Sequence, residues 1–223
     1  NPKVPESYSF KSYGTDQGLS NLGVVSLAMD PKGFLWVGTQ DGLFRYDGRH
    51  FTRFHTLEGL PNPSILRIQA SADGLIWANT ESGLARGRDG HFESVSMGQG
   101  AERDTPRLAL AVDRLGGAWI GGNSGLWYGR GAAALQKVGG LPPGPVNAVW
   151  VDPEGKRVLV GRLGGISYRG HDGIWHTRKL EGEYAQESPE GILMDKRGRI
   201  WVRSSSWLMR YSGIDAEPEQ LTS

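Results

Sequence analysis

The sequence predicts an all-β fold, a β-propeller of four-stranded antiparallel blades, on three observations. A unit of about 40 residues recurs five times, each copy holds four short apolar segments, and turn-forming residues separate those segments. Glycine at 34 of 223 residues, with 12 prolines and 8 tryptophans, fits many tight turns between aromatic-rich strands. No window carries apolar residues at the i, i+3, i+4, i+7 spacing of an amphipathic helix, so helix should be nearly absent.

The first copy, residues 18–54, shows the plan: VVSLAMD, the turn PKG, FLWVGT, the turn QDG, LFRYD and finally HFTRF. Its D-x-x-G-x-x-W core places tryptophans at Trp36, Trp77, Trp119 and Trp201, with Leu159 in that place in the fourth copy. Successive positions lie 40 to 42 residues apart. Copies at about 18–54, 59–95, 101–138, 140–180 and 185–221 make residues 1–223 a single propeller. A lone four-stranded sheet leaves both faces wet, and blades packed face to face bury them. The repeated tryptophans are placed to fill the gap between neighbours, and losing one should cost about 3–5 kcal/mol.

Within each copy the segment before the turn is apolar: Val24–Met29, Ile65–Ala70, Leu108–Val112, Val146–Val151 and Gly191–Met194. That composition suits an innermost strand covered on both sides. Asp30, Asp113, Asp152 and Asp195 close four of these segments and Ser71 the other. Such side chains accept bonds from backbone N–H groups two residues on, and Gly33, Gly74, Gly116, Gly155 and Gly198 supply the positive φ of the turn. Gly42, Gly83, Gly125 and Gly165 are expected to do the same in the next hairpin, where Trp207 in the last copy suggests a re-routed loop.

The ends leave the blade count open. Ser7–Tyr13 (SYSFKSY) resembles the outer strands HFTRF and HFESV and is expected to complete the last blade. The tail SGIDAEPEQLTS, polar and holding Pro218, reads as a poor outer strand. Five blades could close on themselves, or form part of a seven-bladed ring that needs about 290 residues.

Composition excludes several classes. A net charge of +1, with no basic run of five, gives no electrostatic case for nucleic acid. No apolar stretch approaches the ~20 residues that span a bilayer. The start NPKVPESYSF has no initiator Met and no signal-peptide core, as a mature N-terminus or the cut edge of a longer chain both would. The absence of cysteine excludes disulfides, thiolate catalysis and Cys-based metal sites, and is compatible with the periplasm and the cytosol alike.

The pattern GLxxxxVxSLxxDxxGxLWVGTxxGLxRYD at residues 18–47 resembles the two-component regulator propeller repeat, and the resemblance extends over residues 8–211. It implies the extracytoplasmic sensor region of a membrane-bound signalling protein whose cytoplasmic output is a histidine kinase, often hybrid, or a diguanylate cyclase. TQDGLFRYDGRHF is similar to the cyclase-linked members. Neither a membrane span, a β-sandwich linker nor a kinase or cyclase motif occurs in the 223 residues, so the resemblance implies the input half or part of it. A propeller hosts many functions, so this step rests on the resemblance alone.

Candidate ligand contacts are the residues that break the repeat. Trp150 stands where other copies have Ala28, Gln69, Ala111 and Leu193, on the inner strand, where it plugs the channel or lines a pocket. Trp127 and Trp207 also break the pattern, and Arg162 and Arg203 are expected at the exit of the second strand, in places like Thr39 and Thr80. Arg45, Arg86 and Arg210 recur at one place, which favours outward ion pairing, Asp47 being one partner, over a convergent carboxylate clamp. His50, His91 and His171 lack metal-ligand spacing, and no nucleophile triad or cofactor motif is legible. The reading is a non-catalytic propeller that binds a small molecule or glycan near its axis and signals as a dimer. The alternatives are a streptogramin-type lyase, a glycosidase or a protein-interaction propeller.

Overall fold

The computed structural model describes residues 10–98, 106–131, 134–170 and 172–222. Five four-stranded antiparallel sheets follow one another along the chain, each in the order of its strands. The first holds β1 (Val24–Met29), β2 (Leu35–Thr39), β3 (Gly42–Tyr46) and β4 (Phe51–Phe54). The second holds β5 (Ile65–Ala70), β6 (Ile76–Thr80), β7 (Gly83–Arg88) and β8 (His91–Val95). The third comprises β9 (Pro106–Val112), β10 (Gly117–Gly122), β11 (Leu126–Arg130) and β12 (Gln136–Lys137). The fourth comprises β13 (Val146–Val151), β14 (Val158–Arg162), β15 (Gly165–Arg169) and β16 (Trp175–Lys179). The fifth comprises β17 (Gly191–Met194), β18 (Ile200–Arg203), β19 (Leu208–Tyr211) and β20 (Pro218–Thr222). Helix among the described residues is limited to three 3-10 turns. These sheets are propeller blades.

The turn chemistry follows the repeat. Asp30 accepts from the N–H groups of Lys32 (2.9 Å) and Phe34 (3.0 Å), and Asp113 from those of Leu115 and Gly117. Asp195 does the same for Arg197 and Arg199. Gly33 has φ 85°, the left-handed region that a Cβ disfavours. The fourth sheet departs from expectation: Gly164 (φ 67°), not Gly165, takes the positive φ of the second hairpin. Arg162 pairs with Gly165 there, so Leu163 and Gly164 form a two-residue loop. In the fifth sheet Arg203 pairs with Leu208, and Ser204–Trp207 make the longer loop that Trp207 suggested.

Sheets pack through a repeated device. Trp36 of the first sheet sits with Ile65 and Ile68 of the second, and Trp77 of the second with Leu110 and Ile120 of the third. Trp119 packs with Val149 and Val151 of the fourth. Small residues let the sheets approach: a Cβ on Gly38 would lie 2.7 Å from Ile65 Cγ2, and one on Gly121 2.3 Å from Val146 O. The innermost strands pack in the order β1, β5, β9, β13, β17, while among the described residues the first and fifth sheets form no comparable interface.

Two terminal expectations change. The outer strand of the fifth sheet is Pro218–Thr222, with Tyr211 opposite Pro218 and Met209 opposite Gln220. Proline is tolerated because it begins an edge strand, where no ladder partner needs its missing N–H. Residues 10–13 belong to no strand, and residues 7–9 lie outside the described residues. Tyr13 instead stands edge-on to Tyr46 (5.0 Å) and Phe51 (6.0 Å), and Leu19 is buried against Val37 and Phe44. This segment covers the outer part of the first sheet's rear face, the one turned away from the second sheet.

Candidate functional site

Two adjoining cavities, about 640 and 620 Å3 in volume, lie along the inner strands and make up the two halves of the axial region. Either half is large enough for a small organic ligand. Trp150, Ala148 and Ile192 line the first half, and Ser26, Leu27 and Ile68 the second. Arg67, Gln69, Glu190 and Arg203 line both and stand at the boundary between them.

Trp150 reaches the axis through an exchange of residue sizes. The first and third sheets pair a small inner residue with the repeated tryptophan, Ala28 with Trp36 and Ala111 with Trp119. The fourth sheet pairs Trp150 with Leu159, so the large ring stands one strand closer to the axis. Trp150 is half-buried and packs on the cluster that includes Leu159 and Ile192.

Arg203 reaches the axis for a different reason. It pairs with Gly191 as Gly38 pairs with Ser26, so it stands one residue earlier than the Thr39-like place expected for it. Arg162 does hold that place, opposite Val146. In the first, third and fourth sheets the position of Arg203 is Gly38, Gly121 or Gly161, where the following sheet would meet a Cβ within 2.7 Å. Among the described residues no sheet packs on that face of the fifth, and a long side chain fits. Arg203 lies 3.6 Å from Glu190.

Arg67 is the third component, and the sequence reading passed over it. It occupies the inner-strand place of Ser26, Ala109, Ala148 and Gly191, small residues in every other copy. A charged outlier at that position was the available signal. Burial lowers its pKa from the ordinary arginine value, and the neighbouring Arg203 lowers it further. Gln69 is tied down by accepting the Val112 N–H at 3.0 Å. No comparable sequence signal marks Glu190.

The other three candidates lie away from the axial space. Trp127 is wholly buried between the second and third sheets, clustered with Trp77 and Leu135. Trp207 is buried and stands edge-on to Tyr184 at 5.6 Å, where it lines a smaller cleft between the 3-10 turn Gly182–Gln186 and the fifth sheet. Arg162 donates to the Pro143 carbonyl at 2.7 Å. Burial lowers its pKa also.

The recurrent arginines have structural partners. Each sits directly across the strand pair from its sheet's tryptophan: Arg45 over Trp36 (5.8 Å), Arg86 over Trp77 (6.0 Å) and Arg210 over Trp201 (5.7 Å). Arg86 also bonds Glu93 and Arg210 bonds Glu219, whereas Asp47 is engaged by the N–H groups of Arg49 and His50. Among the described residues no three His, Asp or Glu side chains converge as a metal site, and no helix is long and apolar enough to cross a membrane. His171 lies outside the described residues.

Residues 18–41 match the model of the two component regulator propeller family. A 45-residue stretch is 44% identical to a histidine kinase of Formosa agariphila, covering 20% of this chain and 3% of the kinase. The extracellular domain of a proposed hybrid two component system from B. thetaiotaomicron superposes with a TM-score of 0.75 at 19% identity, over 95% of this chain and 32% of that one. Virginiamycin B lyase from Staphylococcus aureus gives 0.69 at 12% identity, over 90% of this chain and 70% of the lyase. The chain thus spans a small part of the kinase and about a third of the extracellular domain. At these identities the structural likenesses establish the propeller fold.

Proposed function

Starting from the two component regulator propeller repeat at residues 18–41, we propose that this chain is the ligand-sensing, non-catalytic propeller of a membrane-bound signalling protein, placed in the periplasm. The observation that carries the reading is the axial space of about 640 Å3 in which Trp150 and Arg203, two residues that break the repeat, converge. A small molecule or glycan binds there. A ligand shifts a conformational equilibrium only through its differential affinity for the two states. Contacts that bridge separate sheets at the axis supply such a difference, because they depend on how the sheets sit against one another. A transmembrane segment elsewhere in the full-length protein carries the bias to a histidine kinase or diguanylate cyclase, with a homodimer as the signalling unit.

The test is a thermal-shift screen of mono- and oligosaccharides and small organic acids against the purified chain. A compound that binds the folded state raises Tm. The expected hits lose their effect in Trp150→Ala and Arg203→Ala and keep it in Arg162→Ala. Hits unaffected by either axial variant would displace the site from the axis. Turnover of a streptogramin B by the chain would overturn the non-catalytic reading, which the shared fold with the lyase makes the relevant enzyme assay.

A further inference from the structure

We infer that a cleft between the outer strands of the fourth and fifth sheets is a second ligand site, away from the axis, which takes a small molecule with a flat apolar ring. The cleft holds about 340 Å3, at the low end of the range for small-molecule pockets, and suits a ligand of one or two rings. Its basis is the packing of these two sheets, independent of the sensor reading.

This interface lacks volume that the repeat supplies elsewhere. At each earlier interface the repeated tryptophan meets a large outer-strand residue of the next sheet. Trp36 meets Phe92, ring centroids 6.1 Å apart, Trp77 clusters with Leu135, and Trp175 packs on the cluster that holds Trp119. Between the fourth and fifth sheets the corresponding residues are Leu159 and Pro218, with Pro218 opposite Tyr211 as Phe92 is opposite Gly87. The other four sheets hold Phe51, Phe92, Leu135 and Trp175 at the place of Pro218. A third residue is exchanged as well. Arg178 stands opposite Ile166, where the first three sheets have Phe54, Val95 and Val138 and the fifth has Thr222. In the first interface the Trp36 ring reaches both of these places, lying 5.4 Å from Phe54 as well as beside Phe92. Arg178 and Pro218, which hold the same two places, line the cleft.

The walls of the cleft are apolar inside and balanced in charge at the rim. Leu180, Met209 and Tyr211, which line it, are 5%, 3% and 1% exposed. Burial raises the Tyr211 pKa, as befits a ring set in a poorly hydrated wall. The Tyr211 hydroxyl donates to Met209 Sδ at 3.7 Å, and a thioether also makes favourable contacts with aromatic rings. The charged lining residues are Arg178, Lys179, Glu181 and Glu217, two cations and two carboxylates. Arg178 is already engaged: its guanidinium lies over the Tyr211 ring at 5.2 Å, donates to the Ile214 carbonyl at 3.1 Å and stands 3.4 Å from Glu217. The cleft therefore selects on shape and apolarity, not on charge. A space left by missing side-chain rings accepts a ring from outside, as apolar cavities in protein interiors accept benzene.

Indole, the ring that the repeat supplies at the other interfaces, is the probe, and glucose is the polar comparator. Ligand-observed NMR titration of the purified chain should show indole binding at least about tenfold more tightly than glucose. Added salt should leave the indole affinity unchanged, because no net charge faces the ligand. Pro218→Phe restores the kind of residue found in the other four sheets, and Arg178→Phe the residue of the first. Each fills the cleft and should abolish indole binding in a chain that circular dichroism shows to be folded. Either variant suffices, so one that fails to fold leaves the other to decide. Arg203→Ala, at the axis, should keep the indole affinity within about twofold. Absence of indole binding, equal affinity for glucose, or binding that survives in a folded filling variant would overturn the inference. Loss of indole binding in Arg203→Ala would overturn it too, by moving the ring to the axis.

Discussion

The rear faces of the first and fourth sheets are built from the same repeat positions and meet opposite surroundings. On the fourth, Val146, Val149 and Val151 lie under Ala109, Ala111 and Trp119 of the third sheet, with Val149 and Val151 only 7% and 9% exposed. On the first, Val24, Leu27 and Met29 have the same apolar character, and Leu27 and Met29 stand 60% and 61% exposed. The fifth sheet mirrors this on its forward face, where Trp201 is half-buried although Trp36, Trp77 and Trp119 are buried. Apolarity of the inner strand is thus a property of the repeat, while burial is a property of the neighbour. The same freedom admits Arg203, at a place where the first, third and fourth sheets have glycine against a packed neighbour.

The comparison can be broken by mutation. The largest contrast should come from the repeated tryptophans. Trp77→Ala is expected to cost about 3–5 kcal/mol in urea unfolding, because the ring is enclosed between two sheets, whereas Trp201→Ala should cost less than about 2. Equal losses would mean that position in the repeat, not enclosure, sets the energy. Next in size is the pair Ile68→Ala and Leu27→Ala, adjacent sheets at one repeat position. The buried isoleucine should lose about 2–5 kcal/mol and the exposed leucine stay within about 0.5. A large loss at Leu27 would show that its face is covered in solution.

The smallest effect concerns the turns. Burial raises the Asp195 pKa, but bonds from Trp201 Nε1 (3.1 Å), Arg199 Nε (2.6 Å) and two backbone N–H groups outweigh it and hold the carboxyl below the usual range. A lowered folded-state pKa contributes stability above the unfolded value of about 3.9, which is lost as pH falls toward the folded one. The Tm gap between the native chain and Asp195→Asn should therefore be constant above about pH 5 and close below about pH 4. A gap unchanged down to pH 3 would refute the role of the charged carboxylate.

Most of the blade was legible because its determinants are local. Asp30, Gly33 and Trp36 sit within one turn and its two strands, and Asp30 both caps the turn and accepts the Trp36 Nε1–H at 2.8 Å. The arginine–tryptophan pairs were missed as pairs because strand register, which sets Arg45 opposite Trp36, follows from the hairpin and is invisible in a one-dimensional alignment. The proposed site was half legible. Trp150 and Arg203 stood out as departures from the repeat, but so did Trp127, whose surplus ring only fills a gap between sheets. A departure marks an altered environment, and the cavity at the axis is one such environment among several.

From its residues alone this chain specifies five copies of a four-stranded sheet, their turns and the face each tryptophan presents, since these depend on contacts within about 40 residues of sequence. Which faces find a neighbour, and which outlying side chains meet, belongs to the packed molecule. Arg67 and Arg203 are separated by three intervening inner strands along the chain and share one small space at the axis. Their encounter is governed by how the sheets fan around that axis, a long-range geometry that no local pattern encodes.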